Sequence, residues 1–310
     1  MSNIDRTQHI YFCADNKYIP FSSVTMTSIL INADEDDDIF FHIIGDDITD
    51  QTKERLKELR SIRDFRIEFI DVDPAIFKEF EGKVKISYWS MAMFYRLLIP
   101  MYAPEGVDNV LYLDGDMIVR HSLADLFAHD LTDCMAAVVE EPDAVQIKNL
   151  GLKSGKYFNS GMLLMNLEEI KKTELLKDAF EFFLNNHPKI ICGDQDVLNG
   201  IWDGKVKFVE DKYNAVSFNR LVKDPVVFHF TGFMKKPWHY FAKSPYKAEW
   251  VGYLQMSPYK KTACGMFKFK LKEFLSRMCF VIKDPTHKSY YIVQLLGIKF
   301  GVGEKDDGCR

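Results

Sequence analysis

Cysteine is sparse in the 310 residues, and the six thiols (Cys13, Cys134, Cys192, Cys264, Cys279, Cys309) form no CxxC pair, no metal-ligand spacing and no dense framework. That pattern excludes a disulfide scaffold and a thiolate zinc site, and it implies reduced thiols. No uninterrupted apolar run is long enough to span a bilayer. Met1 to His9 is polar and leads directly into Ile10-Tyr11-Phe12, so no apolar signal-peptide core is expected, and a cytoplasmic location follows. A net charge of -5 offers no overall positive surface, so no nucleic-acid partner is expected. Internal repeats and low-complexity linkers are also missing.

What remains is a chain that is 47% hydrophobic and 27% charged, enough to bury a large core in one large domain with an extension. His9 to Ala14 reads as a buried strand ending in the polar Asp15-Asn16-Lys17, Pro20 to Asn32 as a helix, and Ile39 to Ile44 as a second buried strand. Thr49 to Ile62 reads as a charged helix with Thr49 as its cap, and Arg66 to Val72 as a third strand. Alternation of this kind predicts an α/β fold with parallel strands, whose ligands bind beyond the strand C-termini. Ser90 to Ile99 reads as a helix carrying Arg96 and stopped by Pro100. Asn109 to Val119 reads as a buried strand that runs into the two carboxylates of Asp114-Gly115-Asp116. Further strands are expected at Met135 to Val139 and Val226 to Phe230, with Tyr157 to Asn166 a separate segment between them, and a helix at Lys172 to Asn185. A change of composition at Ser257-Pro258 divides the chain into residues 1–256 and 257–310.

Asp114 and Asp116 lie two residues apart, so in continued strand geometry both carboxylates share one face. Two hard oxygen ligands there suit Mg²⁺ or Mn²⁺ completed by phosphate oxygens and water, while the competing reading is an acidic turn bent at glycine. His229, at the end of an apolar strand and followed by Gly232, Lys235 and Lys236, is either a core histidine or a metal ligand beside a diphosphate loop. Asp194-Gln195-Asp196 is either the acidic start of a helix or a group placed against sugar hydroxyls. Asn159-Ser160-Gly161 is either a turn or a loop that brings backbone close to a ligand. Arg96, between apolar residues, is either a surface ion pair or a partner for a buried anion.

Taken in order, Phe12-Cys13-Ala14-Asp15, Tyr95-Arg96-Leu97, Leu111-Tyr112-Leu113-Asp114-Gly115-Asp116, Tyr157 to Gly161, Asp194 to Asn199 and His229 to His239 resemble the retaining glycosyltransferases of family eight. That family includes bacterial lipopolysaccharide glucosyl- and galactosyltransferases and glycogenin, and the resemblance covers roughly residues 8 to 245. It implies a GT-A architecture, a single Rossmann-like nucleotide-binding domain with a mixed, mostly parallel sheet, with Mn²⁺ or Mg²⁺ and a UDP-sugar donor. By motif, Ala14 and Asp15 contact uracil and ribose, and Asp114, Asp116 and His229 coordinate the metal. Gly232 and Lys236, preferred over Lys235, hold the diphosphate. Arg96, Asn159, Ser160, Asp194 and Gln195 contact the donor sugar, with Gln195 and Asp194 nearest the chemistry. The acceptor implied is a saccharide or glycolipid, and both a same-face attack and a double displacement stay open.

Two other classes share part of this pattern. A haloacid-dehalogenase-type phosphatase also ends a strand in Asp-x-Asp, but it places the motif near the start of its fold. A non-catalytic nucleotide-sugar binder would not need the full set of candidates. The C-terminal stretch Met266 to Phe300 carries seven Lys or Arg against two acids. Phe267, Leu271, Phe274, Leu275, Met278 and Ile282 fall near one helical face, which suits either an anionic membrane surface, at the inner face of the cell membrane, or the main domain. Ser289 to Val302 reads as a small β element.

Overall fold

The computed structural model describes residues 7–77, 91–216, 222–232, 235–240, 242–277, 279–283, 290–295 and 298–303. Its centre is a seven-stranded sheet in the order β3-β2-β1-β4-β7-β6-β8. The strands are β1 (Thr7–Cys13), β2 (Asp38–Gly45), β3 (Arg66–Asp71), β4 (Asn109–Leu113), β6 (Ala136–Glu140), β7 (Phe158–Asn166) and β8 (Lys207–Val209). β1 runs parallel to both β2 and β4, β2 to β3, and β6 to β8, whereas β7 is antiparallel to β4 and β6. This is a mixed, mostly parallel α/β sheet: the alternation of elements predicts its parallel strands, and the family resemblance implies its mixed character.

Both faces of the sheet are covered, which explains why its strands read as nearly unbroken apolar runs. Tyr11, Val110, Tyr112, Leu163 and Met165 point to one side, where they pack on Phe94, Leu98, Phe180, Phe183 and Trp202. The intervening Ile10, Phe12, Leu111, Leu113, Met162 and Leu164 point to the other, against Met26, Ile29 and Leu30 of the Ile19–Asn32 helix. The strand period of two thus splits one stretch of sequence between two cores.

Chain order places the site. From β1 the chain moves outward to β2 and β3, then returns to lay β4 on the other side of β1. Between β1 and β4 the direction of winding reverses, and their C-terminal ends open side by side. A crevice forms at such a reversal in open α/β sheets.

Several local expectations shift. The helix expected to stop at Pro100 is a 3₁₀ helix, Met91–Leu98, running into a short α-helix, Ile99–Tyr102, with Pro100 in its first turn. Proline lacks only an amide that a first turn leaves unbonded, so it starts this helix rather than ending one. Ser90 lies outside the described residues. Thr49 does cap its helix, its side chain accepting from the Thr52 amide at 3.3 Å, but the α-helix covers Asp50–Lys57 and tightens to 3₁₀ over Glu58–Ser61. The Lys172 to Asn185 helix begins only at Leu175, because Lys172 already closes a preceding turn of helix, Leu167–Lys171.

Asn109 to Val119 is two strands. β4 ends at Leu113, and β5 (Met117–Val119) joins a second sheet with β10 (Val227–His229) and β9 (Ala215–Val216). The acidic tripeptide is therefore the crossing from one sheet to another. Beyond the Lys247–Met256 helix, Ala263–Arg277 is helical, and β11 (Cys279–Lys283), β12 (Tyr290–Leu295) and β13 (Ile298–Gly303) form an antiparallel sheet. Arg55 ties the root of this extension to the main sheet's flank by donating twice to the Pro258 carbonyl, at 3.1 and 2.9 Å. Buried Lys247 reaches Glu273 at 3.2 Å. Among the described residues, no helix is long and apolar enough to cross a membrane.

Candidate active site

The turn between β4 and β5 is clamped from the Ile19–Asn32 helix. Thr25 Oγ1 donates to the carbonyls of Gly115 and Met117 at 3.0 and 2.8 Å. A Cβ on Gly115 would lie 2.2 Å from Ser22 Oγ, so only glycine lets the turn settle against that helix. On the far side, the Asp114 amide donates to the Gly161 carbonyl at 2.8 Å, and the Phe230 amide to the Asp116 carbonyl at 3.0 Å. Three separate elements thus fix the backbone that carries the two carboxylates.

His229, the last residue of β10, meets them there. Its Nε2 stands 3.3 Å from Asp116 Oδ1 and 3.6 Å from Asp114 Oδ2. One ligand atom from each of Asp114, Asp116 and His229 lies within 4.8 Å of the others. Burial holds the His229 imidazole below its ordinary pKa, so near neutral pH it offers a lone pair. Burial alone would raise Asp114, but Arg96, His229, the Tyr112 hydroxyl and Lys236 together outweigh it and keep the carboxyl below the usual range. Two carboxylate oxygens and an imidazole nitrogen fit a Mg²⁺- or Mn²⁺-sized ion, whose ligands at about 2.1 Å stand about 3–4 Å apart. Lys236 Nζ contacts Asp116 Oδ2, and burial lowers the lysine to about 8. It supplies positive charge beside the two acids.

A cavity of about 320 Å³ opens in front of these groups, lined by Ala14, Asp15, Arg96, Asp114, Asp116, His229, Gly232 and Lys236 among others. Every residue expected at the nucleotide, metal and diphosphate is therefore in one place, brought from the ends of β1, β4 and β10. Lys236 lines the cavity and Lys235 does not; residues 233 and 234 lie outside the described residues. A larger cavity, about 990 Å³, lies under the Ala263–Arg277 helix. It holds a single acid, Glu273, so the chemistry belongs to the smaller one.

The residues expected at the sugar form a layer behind this cavity. Arg96 is the bridge: NH1 donates to the Ser160 carbonyl at 2.7 Å, NH2 to Asp114 Oδ1 at 3.1 Å, and Nε lies 3.1 Å from Asp194 Oδ2. Its guanidinium sits 4.2 Å over the Tyr112 ring. Ser160 Oγ donates to Asp194 Oδ2 at 3.1 Å. Burial pushes the Asp194 carboxyl up to about 6, against the pull of Arg96. Arg96 is thus a buried ion-pair partner and not a surface one. Asp194 is the first residue of the Asp194–Ile201 helix, with Gly193 in the cap position and no side-chain cap. Gln195 is engaged at both ends: Oε1 accepts from the Ser160 amide at 3.1 Å, while Nε2 donates to Tyr157 Oη at 3.0 Å and Glu141 Oε2 at 3.2 Å. Asn159 donates to the same Glu141 oxygen at 2.8 Å.

Three participants have no role assigned from the sequence. Tyr18 lines the cavity, and Tyr112 donates to Asp114 Oδ1 at 2.5 Å from inside a run that reads as plain strand. Asp196 is wholly buried and accepts from Tyr157 Oη at 2.5 Å and from the amides of Ile191 and Cys192 at 2.6 and 2.8 Å. Its place in an Asp-Gln-Asp triplet marked it, but as an acid like its neighbour and not as the support beneath them.

Comparisons with known proteins agree with this geometry. The model of the family described as "Glycosyl transferase family 8" matches residues 9–242. General stress protein A of Bacillus subtilis is 28% identical over 273 residues, covering 81% of this chain and 94% of its own. A lipopolysaccharide 1,2-glucosyltransferase of Escherichia coli is 29% identical over 76% of this chain and 74% of its own. The crystal structure of the galactosyltransferase LgtC with donor and acceptor sugar analogues superposes with a TM-score of 0.72 at 27% identity, over 81% of this chain and 96% of LgtC. With the fold, the carboxylate turn and these matches in agreement, the chain belongs to glycosyl transferase family 8 and is a glycosyltransferase.

Proposed function

We propose that the protein moves a hexose, glucose or galactose, from a UDP-sugar to a saccharide acceptor with retention of anomeric configuration. The observation that carries this reading is the convergence of Asp114, Asp116 and His229, within 4.8 Å of one another, on a cavity that Lys236, Gly232 and the Ala14-Asp15 strand end also line. In this reading Asp114, Asp116 and His229 hold Mn²⁺ or Mg²⁺, and the ion when bound supplies charge neutralisation to a departing diphosphate. Lys236 and the backbone at Gly232 complete that anion site, with Lys236 turning from Asp116 to phosphate oxygens. Ala14 and Asp15 receive the uracil and ribose. Arg96, Asn159, Ser160, Asp194 and Gln195 form the wall against the sugar, Asp194 and Gln195 lying nearest the reacting carbon.

In the net reaction the bond from the anomeric carbon to the diphosphate oxygen breaks, and a bond from that carbon to an acceptor hydroxyl oxygen forms. The hydroxyl proton leaves with UDP or solvent. A lipopolysaccharide or other cell-surface glycan is proposed as acceptor, since relatives include the Escherichia coli 1,2-glucosyltransferase and a lipopolysaccharide 1,3-galactosyltransferase of Salmonella typhimurium, 27% identical over 82% of this chain.

Residues 1–256 form the catalytic part of this proposal and 257–310 an extension that attaches to the inner face of a cell membrane. Phe267, Leu271 and Phe274 are 67, 44 and 60% exposed on the Ala263–Arg277 helix, with Lys268, Lys270 and Lys272 between them. The opposite side of the helix, through Phe269 and Glu273, faces Lys247. An apolar stripe edged by lysines suits anionic lipid. The side chains of Leu275, Met278 and Ile282 lie outside the described residues. Replacing Phe267, Leu271 and Phe274 with serine is expected to abolish sedimentation with anionic liposomes at low salt; equal sedimentation would reject the attachment.

The deciding assay for the activity is UDP release from a panel of UDP-sugars, with Mn²⁺ or with chelator and without acceptor. Slow, metal-dependent release from a UDP-hexose is expected. Phosphomonoester cleavage instead would indicate the phosphatase reading, and inertness in both tests a binding protein.

A further inference from the structure

Behind His229 lies a chain of polar side chains that can run in only one direction. Its Nδ1 stands 3.1 Å from Asn214 Oδ1, with both residues buried. Asn214 Nδ2 donates to Asn159 Oδ1 at 2.9 Å, and Asn159 Nδ2 donates to Glu141 Oε2 at 2.8 Å. Asn159 Oδ1 also accepts from the Gly161 amide at 2.9 Å. A backbone N–H only donates and an ionised carboxylate only accepts, so Asn159 is fixed from both sides with its oxygen toward Asn214. Asn214 must answer with its nitrogen, which leaves its own oxygen facing the imidazole. A ring nitrogen opposite a carbonyl oxygen must carry the proton.

We infer that Asn214 is a positioning residue for the metal site: held by Asn159, Gly161 and Glu141, it keeps the His229 proton on Nδ1 and the lone pair on Nε2, toward Asp114 and Asp116. The inference rests on the proposed metal role of those three residues. It identifies the force that Asn214 opposes. Asp116 Oδ1, 3.3 Å from Nε2, draws the proton to the metal side of the ring. With the proton there, Nδ1 would turn a bare lone pair on Asn214 Oδ1, and Asn214 cannot flip without setting oxygen against oxygen at Asn159. Outer partners of this kind orient metal-bound histidines and commonly change affinity by about 10- to 100-fold when removed. The same Glu141 oxygen accepts from Gln195 at 3.2 Å, so one carboxylate anchors the metal side and the sugar side of the site together. Asn159, expected at the donor sugar, has its oxygen wholly committed to this chain.

The test uses the full-length, metal-free protein and Mn²⁺ alone, with no donor or acceptor. ¹⁵N NMR of the His229 ring at pH 8 is expected to show the proton on Nδ1 in the wild type and on Nε2 in Asn214→Leu. Mn²⁺ titration read by electron paramagnetic resonance is expected to give Asn214→Leu a dissociation constant about tenfold or more above wild type. Asn214→Asp keeps an acceptor for Nδ1 but sets a second oxygen against Asn159 Oδ1. It is expected to lose thermal stability while its Mn²⁺ affinity stays within a few-fold of wild type. A merely structural residue would make affinity follow stability across the two variants. A wild-type proton on Nε2, readable even where the leucine variant does not fold, would overturn the inference. So would unchanged Mn²⁺ affinity in Asn214→Leu. Failure of the wild type itself to bind Mn²⁺ would remove the metal assignment, and this inference with it.

Discussion

Gly161 offers a sharp perturbation of the site, because alanine there adds one methyl group at a place with no room for it. A Cβ built on Gly161 falls 2.4 Å from His229 Cε1 and 2.8 Å from both His229 Nδ1 and Asp114 Oδ2. Carbon contacts rest near about 3.5 Å, so something must move by about 1 Å. The strand cannot retreat: β7 is buried along its whole length, and the Gly161 carbonyl and amide are both hydrogen-bonded, to the Asp114 amide and to Asn159 Oδ1. Displacement therefore falls on the imidazole and the Asp114 carboxylate. Overpacking of this degree costs about 1–3 kcal/mol. If that strain appears as a misplaced ligand, Mn²⁺ binding weakens by roughly 10- to 100-fold, at about 1.4 kcal/mol per tenfold. Calorimetric Mn²⁺ titration and a thermal melt on Gly161→Ala separate the alternatives. Weak binding with a melting temperature only a few degrees lower is expected. Affinity within twofold of wild type would show that the methyl is absorbed elsewhere, and the argument that Gly161 makes space for the metal ligands would fail.

Asp116→Asn keeps the size of the side chain and removes one anionic ligand, so it is expected to lower metal-dependent UDP release at least about 100-fold while the circular dichroism spectrum stays native; undiminished turnover at saturating Mn²⁺ rules out the ligand role. His42, wholly buried, accepts or donates at 2.8 Å to His9 and at 2.5 Å to Glu68, and burial pushes its pKa from 6.5 down to about 3. Between those values the unfolded chain binds a proton that the native protein refuses, so stability falls as pH drops from about 6.5 toward 3. Glu68 is raised by burial from 4.5 and acts in the opposite sense above pH 4.5. The larger shift belongs to His42, so His42→Phe is expected to flatten the loss of melting temperature between pH 7 and 4; an unaltered slope contradicts the assignment. Arg55→Ala removes both bonds to the Pro258 carbonyl and a guanidinium 4.4 Å over the Tyr259 ring. Faster proteolytic cleavage between residues 256 and 262 should follow, and an unchanged rate would show that other contacts hold the extension.

The parts of the site that could be read from sequence are those where one residue's chemistry is tied to a strand end. Asp15 and Asp114 each follow an apolar run, so their place at the carboxyl edge of a parallel sheet follows from periodicity and from the rule that ligands sit there. Arg96 stood out because a guanidinium among apolar residues must find an anion, and the structure gives it two. Pro100 misled because proline stops a helix or starts one with equal ease, and only the neighbouring backbone decides. The break of Asn109 to Val119 into two sheets was hidden for a related reason: Met117-Ile118-Val119 looks like more of the same strand. Only pairing with Val227 to His229 reveals that it has changed partners.

Glu141 and Asn214 illustrate a deeper limit. Glu140-Glu141-Pro142 reads as a polar loop, and Asn214 ends a single turn of 3₁₀ helix, so neither residue has a spacing or a neighbour that signals function. Their importance lies in the direction of hydrogen bonds that cross 73 residues from Glu141 to Asn214 and 15 more to His229, as differences of residue number. Donors and acceptors can be counted along a sequence, but which of them meet is decided by the fold. A ligand atom can therefore be identified from its motif, while the group that decides whether its lone pair is available must be found through contacts in space. For a buried imidazole beside two carboxylates this second group matters as much as the first, since the carboxylates proposed to bind the metal are the same groups that would otherwise take the proton.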